Sequence, residues 1–413
     1  MYQTVEWQVS QEPLGLLTVV MTVIVNGYVR RLTGDVMGAV IVDWARSPFH
    51  RAHKGDLRSV RPDDLASQVI TGLMDRNNID TADFDDLILG CAYPEAEQGY
   101  NLGRLVTALC DFPESVPGMT INRLCGSSMH AVLSAASSID SGWGDCFMCV
   151  GVESMSRVKR RGYNWSPNPT LSVDWPQAYV EMGETAENVA QKWDISRDQQ
   201  EQFAFDSHMK SSSASNEGFF DNELIEIDSE SGSISNDGCI RPETTLESMS
   251  RLNPVFSQSG TVTAATSSPL TDGAAALIVC SEEFASSNEL NPTARIISGA
   301  VTGCEPELMG IGPVSATRKV IENAGWDLQS IDVIELNEAF SSQSLAVISE
   351  LGLDPSRVNI DGGAISIGHP LGASGARITG KAASILSRTQ GNRALATMCI
   401  GGGMGAAIAL EKI

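Results

Sequence analysis

The chain has 413 residues, enough for two or three domains, and its 38 glycines and 42% apolar content are typical of a packed globular protein. Its 51 acidic residues against 28 basic ones give a formal net charge of −23. Such a surface repels phosphate backbones and anionic lipid, which argues against nucleic-acid and membrane partners.

The first 36 residues differ from the rest of the chain. Their apolar run LGLLTVVMTVIV (14–25) is 12 residues long, too short to span a bilayer as a helix. Without a basic segment before it or a small-residue cleavage site after it, a signal peptide is disfavoured. We expect residues 1–36 to be an extension outside the fold, which begins with the strand-like GAVIVDWARSPF after Met37.

From Met37 onward, strand-like runs alternate with helical segments. The segment 62–77 is predicted to be a helix because Pro62 stands near its start, acidic residues follow, and apolar positions recur at helical spacing. This alternation predicts an α/β protein with largely buried sheets. The main strand-like runs are 39–45, 84–92, 146–152, 276–280, 332–338 and 395–400, and a terminal strand is predicted in AAIALEKI.

The cysteines provide little indication of a metal site or a disulfide framework. The single CxxC, Cys146 to Cys149, has no second pair and no histidine cluster beside it, so it is better read as part of a buried strand. We expect no bound metal. An odd number of cysteines without a framework is typical of a reducing cytoplasm. The nine cysteines are at positions 91, 110, 125, 146, 149, 239, 280, 304 and 399.

A polar, loop-rich region interrupts the alternation, and the segments on either side of it resemble each other. Residues 120–154 and 359–403 each contain a reactive residue, a small-residue helix, a glycine turn and a strand, with Cys125 in the first and His369 in the second. The repeat predicts two similar half-domains whose helix starts meet at one pocket; chance similarity of Gly/Ala-rich segments is the alternative. We assign residues 37–154, completed by 271–291, to the first half, 292–413 to the second, and 155–270 to an inserted subdomain with helices near 183–193 and 196–215.

Cys125 stands where the sequence TINRLCGSSMHA changes into a helix. A helix N-terminus stabilises a thiolate and lowers the thiol pKa from its usual value of about 8.5, which favours a nucleophile. A small buried hydrophobic residue is the other interpretation.

Three further segments accompany Cys125: NEAF (337–340), GGAISIGHPLGASGAR (362–377) around His369, and MCIGGGMG (398–405) with Cys399. The glycines of the last segment are not a dinucleotide-binding loop, because a terminal strand follows them instead of a helix. Together these four segments resemble the thiolases, and the resemblance covers essentially all of 37–413. NRLCGSSM, IRPETT and TAATSS are most similar to the 3-ketoacyl-CoA thiolase subunits of bacterial fatty-acid oxidation complexes.

The resemblance implies a fold, an activity and site residues. The fold would be two similar α/β halves packed as a five-layered αβαβα core, with the inserted loop subdomain binding CoA. Cys125 would be acylated by a 3-ketoacyl-CoA, His369 would be its base, and Cys399 would be the acid that protonates the leaving acetyl-CoA carbanion. One oxyanion would be held by His369 and a water on Asn337, the other by the backbone N–H groups of Cys125 and Gly401.

The resemblance also implies CoA as co-substrate, without a permanently bound cofactor. Positions matching Ser268 and Arg241 contact CoA in related thiolases, and those matching Ala339 and Phe340 line the pantetheine channel. Where many biosynthetic thiolases carry a pocket histidine, this chain has Arg160 within the basic run RVKRR (157–161). That run is either a solvated surface, a site that attracts the phosphates of CoA, or a docking site for a partner subunit.

Other activities and assemblies are also considered. The resemblance implies thiolytic release of acetyl-CoA and a shortened acyl-CoA, or the reverse, acetoacetyl-CoA-forming direction. A β-ketoacyl synthase would need a second catalytic histidine where NEAF stands. A non-catalytic acyl-CoA or lipid-binding homologue would be expected to lack Cys125 or Cys399. The expected assembly is a homodimer or tetramer, with a hydratase/dehydrogenase subunit of a β-oxidation complex as a further candidate partner.

Overall fold

The computed structural model describes residues 6–11, 17–25, 28–32 and 38–413. Its strands are β1 (Glu6–Gln11), β2 (Leu17–Val25), β3 (Tyr28–Leu32), β4 (Ala39–Arg46), β5 (His50–Arg51), β6 (Asp86–Gly90), β7 (Gly118–Ile121), β8 (Cys146–Ser154), β9 (Ile227–Ser229), β10 (Gly232–Ile234), β11 (Thr271–Ser281), β12 (Ala294–Gly303), β13 (Val333–Leu336), β14 (Arg393–Ile400) and β15 (Met404–Lys412). Its α-helices are α1 (Pro62–Met74), α2 (Leu102–Leu109), α3 (Ser127–Asp140), α4 (Pro169–Asp174), α5 (Met182–Lys192), α6 (Arg197–Asn216), α7 (Leu246–Ser250), α8 (Glu282–Ser287), α9 (Gly312–Ala324), α10 (Ser341–Leu351), α11 (Ala364–Ile367) and α12 (Ser374–Arg388).

The N-terminal strands β1, β2 and β3 form an antiparallel sheet of their own. The remaining residues of the first 37 lie outside the described part of the chain. The expectation that residues 1–36 form an extension outside the fold therefore stays a prediction. Among the described residues, no helix is long and apolar enough to cross a membrane.

Two sets of strands share one connectivity, as the sequence repeat predicts. The first set lies in the order β4-β11-β8-β6-β7 and the second in the order β12-β15-β14-β13. In each set, the strand that comes first in the sequence is paired with the strand that comes last, β4 with β11 and β12 with β15. A short pairing of β12 with β4, Ala294 opposite Ile41, joins the two sets into one continuous sheet. Strands β8 and β11 are buried along their whole length, which agrees with their nearly continuous apolar sequences.

The helices complete five layers around these strands. Helices α3 and α12 pack against each other between the inner faces of the two strand sets, in the largest apolar cluster. A Cβ at Gly375 of α12 would lie 2.3 Å from the backbone nitrogen of Met129 in α3, so glycine is needed for this close approach. Helices α1 and α2 cover the outer face of the first set, and α9 and α10 that of the second. The predicted αβαβα layering is confirmed.

The segment between β8 and β11 contains helices α4 to α7 and the hairpin β9–β10. The two helices predicted there are confirmed as α5 and α6, and α6 begins with a capping box between Ser196 and Gln199. Buried ion pairs attach this segment to both halves, because Glu223 accepts from Arg46 at 2.8 Å and from Lys381 at 2.9 Å. The residue bounds assigned to the halves and to the inserted subdomain stay a prediction.

Candidate active site

Cys125 lies in a tight turn between β7 and α3. Leu124 has a φ of 47°, an uncommon value for a leucine, and its N–H donates to the side-chain oxygen of Asn122 at 2.8 Å. Ser127 fixes the other side of the turn, since its Oγ accepts from the N–H of Arg123 at 2.9 Å. The turn packs closely against the second half of the chain, because the side chain of Ile400 leaves no room for a Cβ at Gly126.

The thiol of Cys125 has a raised pKa, contrary to the expectation that its helix position lowers it. Burial raises the pKa to about 11, although the backbone N–H groups of Gly401 and Cys125 itself and the Arg160 guanidinium favour the thiolate. The carboxylate of Glu153 adds to the increase. Desolvation therefore outweighs the helix terminus, and the resting thiol is protonated and needs a base to become a nucleophile.

Gly401 follows β14 and faces the same thiol. A Cβ at this position would lie 3.2 Å from Cδ1 of Leu124 and 3.4 Å from the sulfur of Met182, so a side chain would crowd the turn that carries Cys125. The arrangement leaves the N–H groups of Cys125 and Gly401 beside one sulfur. Two backbone donors at one point can stabilise an anionic oxygen that forms on a carbonyl bound there.

His369 is buried, and its hydrogen bonds fix its tautomer. Its backbone N–H donates to Oγ1 of Thr271 at 3.0 Å, and the ring atom Nδ1 lies 2.6 Å from Oγ of Ser374. Because the Ser374 hydroxyl also lies 3.0 Å from the carbonyl of Pro370 and donates its single proton there, it accepts from Nδ1–H. Nε2 is then the unprotonated nitrogen, 3.4 Å from Nδ2 of Asn337.

Burial, together with the charge of Arg377, lowers the pKa of His369 to about 3. The imidazole is therefore neutral near neutral pH and able to accept a proton.

A pH profile tests this assignment. Protonation of His369 would disable it as a base only as the pH falls through about 3, so between about pH 5 and pH 7 we expect no acid limb of kcat/KM from this residue. The measurement is kcat/KM for a 3-ketoacyl-CoA across this range in a constant-ionic-strength buffer. A single-proton loss of activity centred near the usual histidine pKa of about 6.5 would contradict the assignment.

Asn337 connects this histidine to the second strand set. Its backbone N–H donates to the backbone carbonyl of Thr397 at 3.0 Å, which places the residue at the end of β13 beside β14. Its side-chain oxygen is buried and has no hydrogen-bond partner among the residues that the structure describes. A buried amide oxygen of this kind can accept from a water molecule or a substrate group.

Cys399, near the end of β14, is buried among apolar side chains that include Met182, Ala339 and Phe340. Burial raises the pKa of its thiol well above the usual value, and the nearby thiols of Cys125 and Cys304 raise it further. The structure thus brings the two predicted reactive cysteines together from different halves of the chain, with Cys399 protonated at neutral pH.

Of the four residues predicted to contact CoA, Ala339 and Phe340 belong to the apolar cluster of Cys399, and Ser268 is bonded to Ala339. Ser268 donates from both its N–H and its hydroxyl to the carbonyl of Ala339 at 3.0 Å, while the ring of Phe340 packs edge-on against Phe256 at 6.1 Å. Arg241 is exposed and lies farther out, in a surface pocket that Ser267 and His208 also line.

The arginines of the basic run 157–161 are paired with carboxylates of the chain. Arg160 and Arg161 both bind Glu181, the second at 2.8 Å, and Arg157 binds Glu97.

Two positioning residues were missed at the sequence level. Ser374, which sets the histidine tautomer, stands five residues after His369 in the quoted GHPLGAS motif. Glu153 is buried at the end of β8 and accepts from the N–H groups of Ala92 at 2.8 Å and Gly372 at 2.9 Å, which connects the two halves behind the site. The local sequence could have indicated Ser374, but the partners of Glu153 are remote in the chain.

Comparison with known proteins agrees with the fold. The family described as "Thiolase, N-terminal domain" matches residues 39–283, and "Thiolase, C-terminal domain" matches residues 290–412. A 3-ketoacyl-CoA thiolase of Bacillus subtilis (strain 168) is 43% identical over 386 residues, which cover 90% of this chain and 99% of that protein.

Solved structures give the same result. Human mitochondrial 3-ketoacyl-CoA thiolase in complex with CoA superposes with a TM-score of 0.84 at 35% identity, covering 92% of this chain and 99% of that chain. An acetyl-CoA acetyltransferase of Bacillus anthracis also superposes with a TM-score of 0.84, at 36% identity, covering 91% of this chain and 99% of its own. With both family domains matched in order and the repeat visible in its strands, this chain belongs to the thiolase family.

Proposed function

We propose that the chain is a 3-ketoacyl-CoA thiolase, which uses CoA to cleave a 3-ketoacyl-CoA into acetyl-CoA and a shortened acyl-CoA. The observation that carries this proposal is the proximity of two protonated thiols, Cys125 and Cys399, together with a neutral histidine, His369. Asn337, the neighbour of this histidine, is bonded to Thr397, two residues before Cys399. Thiolysis requires a nucleophile, a base and an acid in these protonation states. The names of the relatives above support this reaction, and fatty-acid β-oxidation is the pathway that we propose for it.

The first half-reaction forms an acyl-enzyme. Nε2 of His369 takes the proton of Cys125, and the thiolate attacks the keto carbon of the substrate. The C2–C3 bond then breaks, the acyl group stays on the Cys125 sulfur, and the electron pair moves onto the acetyl-CoA carbanion. Cys399 supplies the proton that this carbanion takes up at C2.

The second half-reaction returns the enzyme to its starting state. The Cys399 thiolate takes the proton of the incoming CoA thiol, and the CoA thiolate attacks the acyl carbonyl on Cys125. The acyl group leaves with CoA, and the Cys125 thiolate recovers the proton held by His369. Cys399 suits this role because its raised pKa makes its thiolate basic enough to deprotonate the CoA thiol.

Two sites stabilise the oxyanions of these steps. The backbone N–H groups of Cys125 and Gly401 would hold the oxygen of the carbonyl attached to Cys125. The enolate oxygen of acetyl-CoA would be held by His369 and by a water bound to the buried side chain of Asn337.

CoA is the co-substrate, and the proposed channel for its pantetheine arm passes Ser268, Ala339 and Phe340. The buried apolar cluster of Ala339 and Phe340 against Cys399 supports this path, because it leads to the acid that must reach the CoA thiol. Arg241, exposed at the outer end, offers a positive charge to the phosphates of the nucleotide.

The biosynthetic direction is the second candidate. The similarity to an acetyl-CoA acetyltransferase favours it, and by microscopic reversibility the same residues would form acetoacetyl-CoA from two acetyl-CoA molecules. A non-catalytic homologue is disfavoured, since both thiols and the histidine are in place.

We also propose that the enzyme works in the cytoplasm, because its nine cysteines are all free thiols. A homodimer or tetramer, and docking to a hydratase/dehydrogenase subunit, are proposals that follow from the likeness to bacterial β-oxidation thiolases.

Thiolysis assays test the proposed function. The purified chain, CoA and either acetoacetyl-CoA or 3-ketohexadecanoyl-CoA should lose the absorbance of the magnesium enolate. Turnover of the longer substrate supports β-oxidation, and turnover of acetoacetyl-CoA alone supports the biosynthetic candidate. Absence of turnover with both substrates would contradict the assignment as a thiolase.

A further inference from the structure

Glu338, the second residue of the NEAF segment, carries a buried carboxylate that the proposed mechanism does not use. Its side chain is 1% exposed, and no ion pair among the described residues includes it. Burying a carboxylate without a cation costs free energy unless hydrogen bonds replace the water that it loses. The partners of Glu338 therefore indicate what this residue holds in place.

Three donors from different segments of the chain bind the two oxygens of Glu338. Oε2 accepts from Oγ of Ser207 in α6 at 2.7 Å and from the backbone N–H of Ile365 at 3.2 Å. Oε1 accepts from Nδ2 of Asn359 at 2.7 Å. The backbone passes so close that a Cβ at Gly363 would lie 2.3 Å from Cδ of Glu338. The carboxylate thus joins the inserted segment, through α6, to the end of β13 and the start of α11.

Asn359 extends this contact to the last residue of β13. Its φ of 46° lies in the left-handed region, which asparagine adopts more readily than most residues. The side-chain oxygen of Asn359 accepts from the backbone N–H of Leu336 at 2.8 Å, and its Nδ2 donates to the carbonyl of Leu336 at 2.8 Å. Nδ2 uses its other proton on Glu338. One amide therefore holds both backbone groups of Leu336, and Glu338 holds that amide.

Asn337 lies between these two anchored residues. Leu336 before it is held by Asn359, and Glu338 after it is held by its own carboxylate contacts. The backbone of Asn337 is therefore fixed on both sides. Its amide nitrogen lies 3.4 Å from Nε2 of His369, and its amide oxygen is the group that would bind the water of the proposed enolate site.

We propose that Glu338 is a positioning residue, which directs Asn337 at the enolate oxygen and couples the inserted segment to that site. This inference rests on the proposed function and adds a residue to its enolate-forming step. A misplacement of about 1 Å can cost on the order of 10²-fold in rate, so a residue that does not touch the substrate can control the chemistry. His369 is less dependent on this contact, because Thr271 and Ser374 hold it directly.

Glu338→Gln tests the proposal because it keeps the shape of the side chain and removes one acceptor. The amide of Asn359 cannot rotate to compensate, since rotation would break both of its bonds to Leu336. The new Nε2 therefore faces a donor in either orientation, the amide of Asn359 or the N–H of Ile365. Two donors facing each other cannot form a hydrogen bond, so the turn around Asn337 must shift.

The measurement compares proton exchange with alkylation. Exchange of the α-protons of acetyl-CoA with deuterated solvent requires the enolate site, whereas alkylation of Cys125 by iodoacetamide requires only the nucleophile and its base. We expect Glu338→Gln to slow the exchange, and kcat for thiolysis, by about 10- to 100-fold. The alkylation rate and the KM for CoA should remain close to the wild-type values.

Two serines of α6 provide a matched pair of milder substitutions. Both are buried and both lie within 2.9 Å of Oγ of Ser366, but Ser207 bonds to Glu338 whereas Ser211 bonds to the carbonyl of Asp361. We expect Ser207→Ala to slow the exchange by about 3- to 10-fold, the effect of losing one hydrogen bond. Ser211→Ala should leave the exchange rate unchanged. This pair decides the question even where Glu338→Gln does not fold.

A double-mutant cycle shows whether Glu338 acts through Asn337. Asn337→Ala removes the amide that would bind the water and should itself slow the exchange by about 10²-fold or more. Adding Glu338→Gln to this variant should slow the exchange little further, because the residue that Glu338 positions is gone.

The outcomes separate this inference from the proposed function. A wild-type exchange rate in Glu338→Gln or Ser207→Ala, equal losses in the two serine variants, or exchange and alkylation that fall in equal proportion would overturn the positioning role and leave the thiolase assignment intact. Effects of Asn337→Ala and Glu338→Gln that multiply would also overturn it, since residues that act independently give additive free energies. If the wild type neither exchanges α-protons nor cleaves a 3-ketoacyl-CoA, the proposed function fails together with the inference.

Discussion

Replacing Cys125 by serine should reduce thiolysis by at least about 10³-fold, because a hydroxyl is a much weaker nucleophile than a thiolate near neutral pH. The structure makes the expected effect large, since His369 is a weak base with a pKa lowered to about 3 and can assist a thiol far better than an alcohol. Folding should be retained, because the exchange changes one atom in a turn held by Leu124 and Ser127. The measurement is the steady-state rate with a 3-ketoacyl-CoA, with circular dichroism as the check on folding.

The acyl-enzyme provides a second measurement for this prediction. Wild-type protein mixed with acyl-CoA should carry one labile acyl group, located on Cys125 by peptide mass spectrometry. Cys110→Ser is the matched control, because Cys110 is also partly exposed but packs against the outer helices of the first half. It should retain both the adduct and turnover, and an adduct found on Cys146 or Cys149 would refute the role of Cys125.

Replacing Cys399 by alanine should slow turnover in both directions by about 10²- to 10⁴-fold, the usual contribution of a positioned acid or base. The raised pKa of the Cys399 thiol keeps it protonated, so it can supply the proton that the acetyl-CoA carbanion takes up. An alanine side chain cannot supply this proton. Cys125 should still react with iodoacetamide in this variant, so nucleophile and acid are separated. The variant should also fail to exchange the α-protons of acetyl-CoA with deuterated solvent.

Cys149→Ala is the matched control for this substitution. Cys149 is also a buried thiol within a strand, β8 of the first half, and its removal leaves a similar small cavity. Both variants should therefore lose comparable stability, while Cys149→Ala keeps normal turnover and proton exchange. If Cys399→Ala exchanges α-protons at the wild-type rate, Cys399 is not the proton shuttle.

Much of the fold could be predicted from the sequence because its signals are local or repeated. Apolar runs of strand length anticipated β4, β8, β14 and β15 closely. Strands β7 and β12 were not predicted, since the first has four residues and the second mixes polar and small residues along a half-buried surface.

The candidate reactive residues could also be named from the sequence, because each lies in a short motif at the end of a strand or helix. The repeat placed Cys125 and His369 at equivalent positions, and two similar halves packed together bring equivalent helix starts to one pocket. That reasoning required only the order and spacing of residues in the chain.

The tertiary structure alone decided the protonation states and the partners. The helix position of Cys125 predicts a lowered pKa, but the packing of β14 and Met182 over the thiol removes water and raises the pKa instead. Likewise, the pairing of Arg160 with Glu181 cannot be read from the sequence. Desolvation and ion pairing depend on which remote segments pack around a group, whereas strands, helices and motifs depend on neighbours along the chain.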